Sequence, residues 1–193
     1  RSVGPFDNNA YLLADGDDLV LVDAAQDAPA LLEWIGGRRV SAIVTTHRHP
    51  DHIAALPAVA AATGARLLAG RPDAAAIGDA TGHRPEGLWD GDTLRVGSAE
   101  LEVMGLVGPT PGGIALAHRP EHGPAVVITG DSLFPGGVGK THTPEQFASL
   151  LDAVIAKIFD RFDDDTAILP GHGLPTTLGA ERAHLPEWRA RGW

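Results

Sequence analysis

The 193-residue sequence contains no cysteine. That single absence excludes disulfides, thiolate-bound zinc, iron–sulfur clusters and a cysteine nucleophile. Positive charge is also scarce: 15 basic side chains face 25 acidic ones, for a formal net charge of −10. A surface of that sign repels phosphate backbones and anionic headgroups, so neither nucleic acid nor a membrane is expected as a partner. No apolar run reaches the ~18 residues of a spanning helix. The opening Arg1-Ser2-Val3-Gly4-Pro5 does not read as a signal peptide, and the expected location is cytoplasmic. Repeats, low-complexity tracts and long linkers are missing too. What remains, 44% hydrophobic and 21% charged, is enough for one ordinary core, so a single domain over residues 1–193 is expected. The excess of arginine over lysine, with abundant alanine, suggests a bacterial source.

Hydrophobic patterning divides the chain into strands and helices. Ala10–Ala14 and Leu19–Asp23, split by Asp15-Gly16-Asp17-Asp18, predict a hairpin. Asp27–Ile35 has helical spacing and stops at Gly36-Gly37, and Val40–Thr46 reads as a buried strand. A helix over Ile53–Thr63 and a strand over Ala65–Ala69 follow. Strands are predicted at Thr93–Val96, Glu100–Leu106, Ile114–Ala117 and Val126–Thr129. Pro144–Phe159 is the longest amphipathic helix, Ile168-Leu169 the last short strand, and a helix from about Gly179 is broken by Pro186. This order suggests sheets covered by outer helices. Trp34, Trp89, Trp188 and Trp193 are too scattered for a stacking platform and read as packing residues.

The chemistry concentrates in Thr46-His47-Arg48-His49-Pro50-Asp51-His52, directly after the buried strand. In extended backbone, residues two apart point the same way, so His47 and His49 converge, while Asp51 and His52 open the next helix. Imidazole and carboxylate are the ligand set for zinc, manganese or iron where thiolates are absent. Two further candidates end strands beside glycine: Asp131 in Thr129-Gly130-Asp131-Ser132 and His172 in Pro170-Gly171-His172-Gly173. Gly130-Asp131-Ser132-Leu133-Phe134 is not a nucleophile elbow, so a serine hydrolase is rejected.

The ordered set His-x-His-x-Asp-His, Thr-Pro-Gly, Gly-Asp-Ser-Leu-Phe and Pro-Gly-His-Gly, spread from about Asn9 to Gly173, resembles the metallo-β-lactamase-fold hydrolases, nearest their glyoxalase II-like branch. The resemblance implies a four-layer αββα sandwich with metal at one edge. It implies His47 and His49 on a first metal, Asp51, His52 and His172 on a second, and Asp131 bridging. One or two zinc ions are the expected cofactor, with iron or manganese as alternatives. A metal-bound hydroxide would attack an ester, thioester, lactone or amide carbonyl of a small-molecule substrate, with Asp51 orienting the water.

One position departs from the pattern. Where relatives carry Gly-His-Thr-Pro-Gly, this chain has Gly108-Pro109-Thr110-Pro111-Gly112, and proline offers no side-chain donor. The first site is then expected to be the weaker. The iron-dependent persulfide dioxygenases of the superfamily use that histidine, so their activity is not expected. The glutathione thioesterases add a helical C-terminal domain; only residues 173–193 follow His172, so that domain is not expected either. In the loop after Asp131, Lys140 is a candidate partner for an anionic substrate group and His142 a candidate substitute for the lost imidazole. Gly136-Gly137-Val138-Gly139-Lys140-Thr141 does not match a phosphate-binding loop, because Phe134 occupies the first glycine position. Two other readings stand beside the hydrolase: a one-metal enzyme for a non-hydrolytic biosynthetic step, and a metal-binding member without turnover.

Overall fold

Alternating apolar side chains build the molecule in layers. In the computed structural model, which describes residues 1–192, the first half runs β1 (Ser2–Val3), β2 (Asn8–Asn9), β3 (Tyr11–Asp15), β4 (Asp18–Val22), α1 (Ala28–Ile35), β5 (Ala42–Thr45), α2 (Pro50–Ile53), α3 (Leu56–Thr63), β6 (Arg66–Gly70), α4 (Ala74–Thr81) and β7 (Glu86–Leu88). The second half runs β8 (Thr93–Val96), β9 (Ala99–Gly105), β10 (Ile114–His118), β11 (Val126–Gly130), β12 (Leu133–Phe134), β13 (Gly137–Val138), α5 (Pro144–Val154) with a π-helical end at Ile155–Phe159, β14 (Ala167–Pro170), β15 (Thr176–Thr177), α6 (Leu178–Arg182) and α7 (Leu185–Arg191). One sheet has the order β3-β4-β5-β6-β7, parallel beyond the β3–β4 hairpin. The other has the order β15-β14-β11-β10-β9-β8, with β11 and β14 parallel.

Successive side chains of a strand face opposite ways, and here both faces are covered. On β4, Leu19 and Leu21 pack outward with Leu31, Leu56 and Val59 of the helices. Val20 and Val22 point inward, sharing a core with Val103, Ile114, Leu116 and Ile128 of the second sheet. Outside that sheet, Ala115 and Val127 meet Leu150, Leu151, Val154 and Trp188. Helix, sheet, sheet, helix is the αββα sandwich expected from the sequence.

Proline corrects several helix boundaries. The expected Ile53–Thr63 helix is two pieces, because Pro57 in the first turn of α3 has no N–H for the Ile53 carbonyl. The C-terminal helix breaks ahead of Pro186: α6 stops at Arg182, whose carbonyl would need the N–H that Pro186 lacks, and Pro186 lies in the first turn of α7. Pro144–Phe159 is helical throughout, with the last turn widened to π geometry. Ile168-Leu169 is not in the last strand, since β15 pairs back onto β14. Helix α4 and strand β7 carry weak patterns and were not anticipated. Trp188 is core, Trp34 and Trp89 are half-buried packing residues, and Trp193 lies outside the described residues. No helix among the described residues is long and apolar enough to cross a membrane.

The topology also fixes where chemistry can occur. Parallel pairing brings the C-terminal ends of β4 and β5 side by side, and likewise those of β11 and β14. The two sheets are joined there by main-chain bonds: Ile114 N–H donates to Thr46 C=O at 2.9 Å, and Asn9 N–H to Gly171 C=O at 2.7 Å.

Leu116 is fully buried between the sheets. Leu116→Ala should cost about 2–5 kcal/mol of unfolding free energy, whereas Leu32→Ala, at a half-buried position on α1, should cost much less. Urea denaturation of both variants checks the layer assignment; equal losses would contradict it.

Candidate metal centre

Three segments deliver six ligand-type side chains to the shared strand ends. After β5 the chain bends at Thr46 and runs irregularly to His49, which is extended (φ −61°, ψ 141°), and Pro50 then starts α2, which puts Asp51 and His52 in its only turn. His47 Nε2 lies 3.0 Å from His49 Nδ1 and 3.6 Å from Asp131 Oδ2. On the other side, His52 Nε2 lies 3.1 Å from His172 Nε2, which is 3.2 Å from Asp51 Oδ2. Asp131 stands between the two groups, with Oδ1 3.4 Å from His52 Nε2 and Oδ2 3.6 Å from His172 Nε2. The structure thus brings together all six residues singled out as ligands. They form two trios, His47–His49–Asp131 and Asp51–His52–His172, each with donor atoms within 4.8 Å of one another.

A second ring of groups fixes which nitrogen faces the centre. Asp23 ends β4 in a left-handed conformation (φ 57°) that an aspartate tolerates, and it is buried. Its carboxylate accepts from Thr46 N–H at 2.7 Å, Thr46 Oγ1–H at 2.8 Å and His52 Nδ1–H at 2.9 Å. Having given its only proton to Asp23, the Thr46 hydroxyl accepts from His47 Nδ1–H at 3.0 Å. His172 Nδ1–H donates to the Phe6 carbonyl at 2.8 Å. In the neutral imidazoles, Nε2 of His47, His52 and His172 therefore carries the lone pair and points inward.

This arrangement demands positive charge. In the neutral rings, lone-pair nitrogens of His52 and His172 face each other at 3.1 Å, and Asp131 Oδ1 is buried without a hydrogen-bond partner among the described residues. An anionic oxygen in that state is costly unless a cation sits beside it. Burial works against protonating His52, but Asp23 and Asp131 outweigh it and push its pKa up to about 10. Burial and the neighbouring His52 push His47 down to about 4. Burial would raise the Asp131 pKa, yet the surrounding imidazoles hold it below the usual carboxylate value. Imidazoles with aimed lone pairs, an orphaned carboxylate oxygen and no sulfur fit a divalent metal such as zinc or iron.

Close approach depends on glycine at two points. A Cβ on Gly171 would collide with Asp131 Oδ1 and lie 2.8 Å from His52 Cε1. Gly130 has φ 49°, and a Cβ there would come within 2.8 Å of the Thr46 side chain.

Other expected residues lie at the margin. Pro109 borders a narrow crevice with His47 and Asp131, and on its other side helps line a cavity of 420 Å³ with Arg48, Val107 and His142. His142 is exposed and belongs to neither donor trio; Lys140 is exposed. Sequence reasoning missed three buried polar residues beside the centre: Asp23, Asn8 and Asp73. Buried Asp73 ties the histidine loop to the Pro109 loop, accepting from Arg48 N–H at 3.0 Å, Thr110 Oγ1–H at 2.6 Å and Gly112 N–H at 3.0 Å. The one available signal was an aspartate closing the apolar run Leu19–Val22; nothing local marks Asn8 or Asp73.

A sequence model of the metallo-beta-lactamase superfamily matches residues 3–172. The chain is 36% identical over 175 residues to a hydroxyacylglutathione hydrolase of Fuscovulum blasticum, covering 86% of this chain and 62% of that protein. The chain thus spans less than two thirds of that relative's length. Its fold is similar to the crystal structure of the BLEG-1 B3 metallo-beta-lactamase (TM-score 0.82, 27% identity, 96% of each chain covered). It is also similar to TTHA1623 in a di-iron-bound form (TM-score 0.72, 30% identity, 94% of this chain and 96% of that one).

Asn at position 23 would offer one acceptor oxygen where three donors now converge. Asp23→Asn should retain the fold but lower zinc affinity about 10–100-fold, measured by competition with a chromogenic chelator. Unchanged affinity would remove Asp23 from the account.

Proposed function

Because the chain belongs to the metallo-β-lactamase superfamily, we propose that it is a metal-dependent hydrolase of ester, thioester, lactone or amide carbonyls in small molecules. His47, His49 and Asp131 would hold one divalent cation, and Asp51, His52 and His172, with Asp131 shared, a second. The observation that carries this reading is the Asp131 carboxylate, which reaches both groups of imidazoles and has one buried oxygen unpartnered among the described residues. Zinc is the expected ion, and the likeness to a di-iron protein makes iron the alternative. Bound there, such a cation supplies Lewis acidity: it polarises a carbonyl and lowers the pKa of a water towards neutrality.

The protein's own groups supply the rest. Asp23, Thr46 and the Phe6 carbonyl hold three imidazoles in the tautomer that presents Nε2. Asp51, half-buried beside His172, would orient a water with its carboxylate. The cavity of 420 Å³ beside Pro109 has the size of a small-molecule site, and its walls join the apolar Val107, Pro109 and Pro111 to Arg48, His142 and Gln146. The likeness to a hydroxyacylglutathione hydrolase favours acyl thioesters among the possible substrates.

Pro109 favours a second reading, a one-metal enzyme with a non-hydrolytic reaction. It borders the crevice beside His47 and Asp131 and brings no donor to it.

Metal analysis of the purified protein, followed by assays on chromogenic esters, thioesters and lactones, tests both readings. At least one zinc or iron per chain is expected, with hydrolysis that a chelator abolishes and added metal restores. Bound metal without hydrolysis across the panel would favour the second reading, and a chain that takes up no metal would sink both. Pro109→His should raise the metal content towards two ions per chain, since an imidazole would replace a water at the first site. A parent protein already carrying two full equivalents would overturn that expectation.

A further inference from the structure

Asp51 Oδ2 and His172 Nε2 lie 3.2 Å apart. With His172 Nδ1–H donated to the Phe6 carbonyl, both facing atoms in the neutral ring are acceptors, and two acceptors at that distance need a donor between them. Asn8 supplies it. Its side chain is fully buried, and Nδ2 donates to Asp51 Oδ2 at 2.9 Å while lying 3.4 Å from His172 Nε2. The amide orientation follows from its neighbours. An ionised Asp51 accepts only, so the NH2 must face it, and Asn8 Oδ1 is left to accept from Gln26 Nε2 at 3.0 Å. Gln26 is itself fitted against Gly4, where a Cβ would come within 2.8 Å of the glutamine Cβ. The Asn8 main chain forms a bridge with His172, so the amide is anchored at both ends.

We propose that Asn8, oriented by Gln26, is a positioning residue for the Asp51–His52–His172 trio: its amide engages Asp51 Oδ2 and holds Asp51 and His172 in register before a metal arrives. This rests on the metal-binding reading above. The arrangement comes from a short N-terminal hairpin that is remote in sequence from both partners, by 43 and 164 residues. Gln26 donates to Asn8 Oδ1, and its influence on the centre would run through the Asn8 amide.

The test uses cobalt(II) and zinc on metal-free wild type, Asn8→Ala, Gln26→Ala and the double variant. Zinc affinities come from chelator competition, and the cobalt visible spectrum reports coordination geometry. One binding step should weaken about 10–100-fold in Asn8→Ala, with an altered cobalt band, and by less in Gln26→Ala. The double variant should match Asn8→Ala alone, because Gln26 has nothing left to orient; a purely structural role would make the two losses add. Thermal melting of the metal-free proteins identifies any variant that fails to fold, and Gln26→Ala then carries the comparison. Cobalt spectra and affinities identical to wild type in both single variants would overturn the proposal while leaving the metal reading intact, and additive losses would overturn it too. Wild-type protein that binds neither zinc nor cobalt would overturn the metal reading itself, and this inference with it.

Discussion

A carboxylate taken out of water must find donors or cations, and Asp23 finds three donors at once: Thr46 N–H, Thr46 Oγ1–H and His52 Nδ1–H. Much of the centre depends on that arrangement. The contact joins the end of β4 to the segment after β5, so it holds together the two parallel strands whose ends carry the chemistry. Through the Thr46 hydroxyl it also sets the tautomer of His47, on the opposite side of the centre from His52. One buried anion therefore aims an imidazole into each donor trio. Such a group is costly to bury, and every bond it accepts offsets part of that cost.

The same logic runs outward through Asp73 and Asn8. Asp73 ties the main chain at Arg48 to the loop at Thr110–Gly112, bringing the segment that carries Pro109 against the histidines. Asn8 ties the N-terminal hairpin to Asp51 and His172. Glycine at 130 and 171 lets the backbone come close enough for Asp131 to sit between the trios. The centre is thus assembled by a buried polar shell drawn from the strand ends of the first sheet and from the N-terminal hairpin. Its inner atoms, lone pairs and carboxylate oxygens 3–4 Å apart, are left needing positive charge.

Much of this was legible in the chain. Short unbroken apolar runs on β4, β10 and β11 read as strands, and His47-Arg48-His49-Pro50-Asp51-His52 announces metal-type chemistry because its residues are adjacent. Asp131 and His172 could be found because each follows a short apolar run and lies beside glycine. Helix ends were less legible. Pro57 and Pro186 act on a carbonyl four residues earlier, so the same residue ends one helix and starts the next. Helix α4 is Ala-rich with little contrast between its faces, which is why periodicity overlooked it.

The sequence by itself determined the layered class, the strand ends that carry ligand-type residues and the absence of sulfur from the donor set. These follow from side-chain period, local order and composition, all of which are properties of neighbours along the chain. The grouping of His47 and His49 apart from Asp51, His52 and His172, with Asp131 shared, came from the family resemblance and not from spacing along the chain. Only the tertiary structure aimed the Nε2 atoms inward and brought Asp23 and Asn8 to the centre. The reason is physical: a hydrogen bond spans about 3 Å, and its partners here are separated by 23 to 164 residues of chain, a distance that only the packing of two sheets closes.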